Sequence, residues 1–123
     1  MIKLGTDIIE VIRIKNSIEK YGEKFLKKVF SEREIEYCKK FKYSDERFAG
    51  KFAAKEATQK ALMAKMPDTT FPLNQIEIQN DDFGRPVIYL TGELEKYNQK
   101  YRLEVSVSHI KEIATATTIL VEK

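Results

Sequence analysis

Arg47-Phe48-Ala49-Gly50-Lys51-Phe52-Ala53-Ala54-Lys55-Glu56-Ala57-Thr58-Gln59-Lys60-Ala61 is the stretch that decides how this chain folds. Ala49, Ala53, Ala57 and Ala61 recur every four residues, so the segment reads as one helix with a face made of methyl groups. Such a face lets a helix lie close against another element. Phe52, Glu56 and Lys60 run beside it at the same spacing. Two readings of that edge stand. Glu56 and Lys60 could be an exposed i,i+4 ion pair contributing only ~0.2–0.5 kcal/mol. Alternatively, Glu56 is a metal ligand, an option that needs a second carboxylate. Asp7, in an otherwise apolar N-terminal setting, is the candidate.

The sequence on either side supplies the rest of the frame. Residues 2–10 carry Ile2, Leu4, Ile8 and Ile9 and read as a strand. Arg13 to Val29 is amphipathic at helical spacing, with Gly22 interrupting it. Ser31-Glu32-Arg33-Glu34 is a capping box, with Phe30 and Ile35 at the staple positions, so a short helix runs from Ser31 to about Lys40. Ser44 or Asp45 is placed to cap the alanine-rich helix, which extends to about Lys65. Pro67 and Pro72 mark a loop. Residues 75–90 read as a hairpin about the turn Asp81-Asp82-Phe83-Gly84-Arg85-Pro86. Thr91 is placed to cap a short helix to about Lys100, and 103–108 and 113–121 are strand-like. The order β-α-α-α-β-β-α-β-β predicts an α+β fold, a mostly antiparallel sheet with packed helices, in a single domain over residues 1–123.

Composition sets bounds. The 123 residues are 42% hydrophobic and 33% charged, as in ordinary globular proteins. No apolar run approaches the ~20 residues of a membrane span, so no membrane association is expected. The single cysteine, Cys38, precludes an internal disulfide, and with a lone histidine it argues against structural zinc. A cytoplasmic location is the expectation. The net charge of +3 is uneven, with 14 Lys/Arg against 8 Asp/Glu in residues 13–60. That segment suits an acidic partner, such as a phosphorylated cofactor, an acidic protein or nucleic acid. It lacks interleaved aromatics and any recognised nucleic-acid motif, so nucleic acid is not expected.

Asp7 and Glu56 together suggest a hard-cation site. Magnesium commonly takes one or two carboxylates, with waters and substrate phosphates completing its shell. Asp7 taken alone could instead kink the strand at Gly5-Thr6-Asp7 or face solvent. Lys60 lies one turn from Glu56, Lys51 and Lys55 flank it, and lysine serves phosphate as a point charge. The Gly84-Arg85-Pro86 turn could bring backbone N–H groups and a guanidinium to the same ligand. His109 ends the Ser106-Val107-Ser108 strand, where site residues concentrate, although a half-exposed loop histidine is the plainer reading. No nucleophilic triad and no Walker-type glycine loop is present.

Gly5-Thr6-Asp7-Ile8-Ile9 with Arg13-Ile14, Phe52-Ala53-Ala54-Lys55-Glu56-Ala57-Thr58-Gln59-Lys60-Ala61, and Ser106-Val107-Ser108-His109 occur in that order. In this the chain resembles the holo-[acyl-carrier-protein] synthases, the small bacterial branch of the 4′-phosphopantetheinyl transferase superfamily. The resemblance implies transfer of the phosphopantetheine arm of coenzyme A to a serine of apo-acyl carrier protein, with magnesium as the ion. It implies Asp7 and Glu56 as metal ligands, Lys60 on the coenzyme A phosphates, and Lys51, His109 and the turn Gly84, Arg85 and Pro86 lining the nucleotide site. Arg13 would meet the acidic carrier protein. The serine proton would pass to Glu56 or to a metal-held water. A homotrimer with sites at subunit interfaces is implied as well. One departure from the family pattern follows the signature helix, where Leu62-Met63-Ala64-Lys65-Met66 replaces the usual aromatic-and-glycine continuation.

Overall fold

The computed structural model describes residues 1–123. The elements are β1 (Ile2–Glu10), α1 (Val11–Tyr21), α2 (Glu23–Val29), α3 (Glu32–Lys39), α4 (Ser44–Lys65), β2 (Ile76–Asn80), β3 (Pro86–Leu90), β4 (Tyr101–His109) and β5 (Ile113–Glu122), with 3₁₀ turns at Leu73–Gln75 and Gly92–Asn98. All pairing is antiparallel: β1-β5-β4 form one sheet and β2-β3 a separate hairpin. The fold is thus α+β, as expected.

Three details differ from the expected order. Gly22, at φ 54°, makes the interruption a full break, giving two helices where one entry in the order stood. The segment after Thr91 is 3₁₀ rather than α-helical, and it buries only Leu94. Tyr43, not Ser44 or Asp45, is the N-cap of α4, and Asp45 and Glu46 instead lie in its first turn, where their charge complements the helix dipole. The capping box is formed, with Glu34 N donating to Ser31 Oγ and Ser31 N donating to Glu34 Oε1.

Helix α4 is the axis of the molecule. The three-stranded sheet packs along one side of it, and α1, α3 and β2 cover another. Ala49, Ala53, Ala57 and Ala61 are all 0% exposed. Against them lies Gly5, where an added Cβ would sit 1.9 Å from the Ala57 carbonyl oxygen, so only glycine lets β1 and α4 touch backbone to backbone. Ala114, Ala116, Thr118 and Leu120 of β5 bury the same face of the sheet. What α4 leaves partly open is a stripe through Phe52, Glu56 and Lys60, continuing to Met63.

The free edge of β2 is closed by charged side chains. Lys55 Nζ donates to the carbonyls of Ile76 (2.6 Å) and Leu73 (2.9 Å), and Lys51 Nζ donates to Ile78 O at 2.6 Å. Ile78 N donates to Glu34 Oε2 at 2.7 Å, and Glu34 Oε1 pairs with Lys55 at 2.7 Å, both side chains being fully buried. Lys55 is therefore a core clasp. Its ammonium does not join Glu56 at the surface, as its neighbouring place in the sequence had suggested.

Candidate active site

The close crossing at Gly5 brings the next residues of β1 over the wet stripe of α4. Asp7 faces inward, so it is neither a solvent-facing residue nor a turn residue; its side chain is 14% exposed. Its Oδ1 receives Lys60 Nζ at 3.3 Å, and Lys60 also donates to Thr6 O at 2.9 Å. Its Oδ2 is buried with no partner. Lys60 thus pairs with Asp7 across the two elements and not with Glu56 along the helix. Burial and then the charge of Asp7 raise the Glu56 carboxyl above its ordinary value, with Lys60 opposing. The two carboxylates feel each other's charge, and Asp7 keeps one oxygen with no protein partner. Hard oxygen donors of this kind fit magnesium.

A second locus lies elsewhere on α4. Lys51, Gly84, Pro86 and His109 come together with Arg47 and Asn80 around a pocket of about 130 Å³. Lys51 Nζ also donates to Asn80 Oδ1 at 2.7 Å and sits 4.7 Å from the Tyr37 ring centre. Burial lowers its pKa from the usual lysine value. The His109 ring lies with Nδ1 2.8 Å from Glu46 Oε1. Arg85 does not reach the pocket with its side chain: its Nε donates to Asp81 Oδ2 at 2.8 Å. Of the sequence-predicted nucleotide residues, the turn therefore contributes Gly84 and Pro86, while Lys60 stands apart at the carboxylates. Arg13 is exposed on α1.

The residues that sequence reasoning missed are Glu46, Arg47 and Asn80. Glu46 and Arg47 stand one helical turn before Gly50 and Lys51, a spacing that was available in the sequence. Asn80 closes β2 beside the turn, and nothing in the pattern marks it. Cys38 is buried and its thiol is pushed up to about 12, chiefly by burial, so it offers no thiolate nucleophile.

The α+β frame presents paired carboxylates and a lysine on one side of a helix and a basic pocket on another. The model of the 4′-phosphopantetheinyl transferase superfamily matches residues 3–118. The holo-[acyl-carrier-protein] synthase of Clostridium tetani is 42% identical over 120 residues, covering 95% of this chain and 93% of that one. The ACPS-CoA complex of Chronobacterium ammoniagenes superposes with a TM-score of 0.86 at 25% identity, covering 100% of this chain and 98% of that one. The Bacillus anthracis holo-(acyl-carrier-protein) synthase in complex with CoA (3′,5′-ADP) gives 0.79 at 31% identity, covering 98% and 96%. The chain belongs to the 4′-phosphopantetheinyl transferase superfamily.

Proposed function

We propose that this chain, as one catalytic domain over residues 1–123, transfers the 4′-phosphopantetheine arm of coenzyme A to a serine of apo-acyl carrier protein. The products are holo-acyl carrier protein and adenosine 3′,5′-bisphosphate. The observation that carries the reading is the orphaned Asp7 Oδ2 beside Glu56 and Lys60, on the open stripe of an otherwise enclosed helix. Solved relatives in complex with CoA support the substrate.

Asp7 and Glu56 would hold magnesium, which when bound supplies charge neutralisation on the pyrophosphate. Lys60, whose side chain is 53% exposed, is free to turn from Asp7 to a phosphate oxygen. The serine oxygen forms a bond to the pantetheine-side phosphorus as the bond from that phosphorus to the bridging oxygen breaks. The serine proton passes to Glu56 or to water. Phosphoryl transfer asks mostly for positioning and charge, which these residues provide. Lys51, Gly84, Pro86 and His109 receive the nucleotide end, with Arg85 contributing backbone only. Arg13 and the basic surface of α1 and α2 meet the acidic carrier protein and speed encounter.

The working assembly is a homotrimer with interfacial sites. Lys51 and Glu56 lie about 140° apart around α4, from ~100° per residue, so one ligand meeting both draws on two copies. The outer face of β1 supports this, with Ile2, Leu4 and Ile8 between 62% and 67% exposed. No helix is long and apolar enough to cross a membrane. A cytoplasmic location completes the proposal. The test is chromatographic: adenosine 3′,5′-bisphosphate should appear from coenzyme A and magnesium only when apo-carrier protein is added. Release without the carrier protein would make the chain a hydrolase instead.

A further inference from the structure

Each basic side chain of the nucleotide pocket is held by its own partner. The Arg47 guanidinium lies 4.0 Å over the Phe41 ring, and the Lys51 ammonium is bonded to Ile78 O and Asn80 Oδ1. For His109 the partner is Glu46, in the first turn of α4. The two side chains are 29% and 22% exposed, so their contact is sheltered though not dry. A carboxylate oxygen only accepts, so the Nδ1 it touches carries a proton. Nε2 is then the nitrogen left for a pocket ligand, and it donates to an anion when the ring carries both protons. Gly50 borders the Nε2 edge of the ring: a Cβ there would stand 3.8 Å from His109 Cδ2.

We propose that Glu46 is a positioning residue of this pocket, fixing the His109 imidazole with Nδ1 protonated and Nε2 turned to the ligand, where the doubly protonated ring donates from Nε2 to a phosphate-class group. This rests on the transferase reading only for the ligand's identity. Glu46 itself touches no reacting atom. Its place resembles that of the carboxylates that orient metal-bound histidines from behind, where removal typically costs ten- to a hundredfold in affinity.

His109 is the chain's only histidine, so its signals need no assignment. Long-range proton–nitrogen NMR of the neutral ring should show the Nδ1–H tautomer in the wild type. It should show the Nε2–H form, which an unconstrained histidine side chain favours, in Glu46→Ala. In turnover, Glu46→Ala should raise KM for coenzyme A roughly tenfold with kcat little changed. Glu46→Gln, which keeps an accepting oxygen, should recover part of this. In a His109→Ala background the Glu46→Ala effect should vanish. A wild-type Nε2–H tautomer, or an undiminished KM effect without His109, overturns the proposal. Absence of any transferase activity would sink the function instead, and the tautomer result would still decide the role of Glu46.

Discussion

Asp7 has its two oxygens in different states: Oδ1 meets Lys60 and Oδ2 meets nothing. A buried acceptor without a partner costs about 1–3 kcal/mol, a cost that a bound cation offsets. Magnesium is therefore expected to raise the melting temperature of the wild type, by the equivalent of ~2.7 kcal/mol at a hundred times Kd. Asp7→Asn and Glu56→Gln should lose that rise in a thermal-shift titration. An unchanged magnesium response in either would remove it from the metal site. The sign for Glu56 without metal follows from its raised pKa. A carboxylate raised on folding costs stability above that raised value, and the cost fades as pH falls through it toward 4.5. Metal-free Glu56→Gln should thus be at least as stable as the wild type at neutral pH while transferring nothing. Gly5 makes the opposite kind of prediction. Its Cβ would overlap the Ala57 carbonyl, so Gly5→Ala should cost on the order of 3 kcal/mol or more by denaturant unfolding. Asp7 was legible in the sequence as an acid in apolar company, and Glu56 became a candidate only through it. Glu46 was marked only by its place one helical turn before Gly50, and nothing in the pattern paired it with His109 on β4.

At the scale of elements, α4 and β2 are matched in spacing. Four residues of helix rise ~6 Å and two residues of strand ~6.6 Å, so Lys51 and Lys55 meet Ile78 and Ile76 in register. Burial lowers the pKa of both lysines, and Glu34 counters it at Lys55. Glu34→Ala or Lys55→Met should each cost about 3–5 kcal/mol, since either leaves a buried charge unpaired. An apolar double replacement should not recover the loss, because Ser31 N, Ile78 N and the carbonyls of Leu73 and Ile76 would be orphaned. Recovery to wild-type stability in the double variant would contradict the clasp. Helical spacing could place these lysines on a helix but could not tell which strand would take their ammonium groups. That depends on how the hairpin docks. The β2–β3 turn carries its own pH dependence. Asp81 is held below its ordinary 3.8, first by the Arg85 N–H and also by the Arg85 side chain and Phe83 N–H. The bonds it accepts persist above 3.8 and are lost as pH falls through the depressed value. An NMR titration of the Phe83 and Arg85 amides should show a midpoint below 3.8, and a midpoint at or above it would contradict the turn geometry.

At the scale of the molecule, the enclosed helix sets carboxylates and pocket on different sides, and the outer face of β1 exposes Ile2, Leu4 and Ile8. Leu4→Glu or Ile8→Glu should lower the mass measured by light scattering and reduce turnover, with Asp7, Glu56 and Lys60 untouched. A monomer with full wild-type turnover would refute interfacial sites. The order of elements and the antiparallel class were legible because the capping box, the hairpin turn and the alternating strands are local signals. The separation of β2-β3 from the larger sheet was not, since it lies between β3 and β4, which pack side by side without pairing. Transfer of the phosphopantetheine arm is proposed to rest on Asp7 and Glu56. Intact-mass spectrometry of apo-acyl carrier protein, incubated with coenzyme A, magnesium and this protein, tests it most directly. A gain of one phosphopantetheine arm with the wild type, and none with folded Asp7→Asn or Glu56→Gln, is the predicted result. An unmodified carrier protein with the wild type, or full modification by either variant, would contradict it.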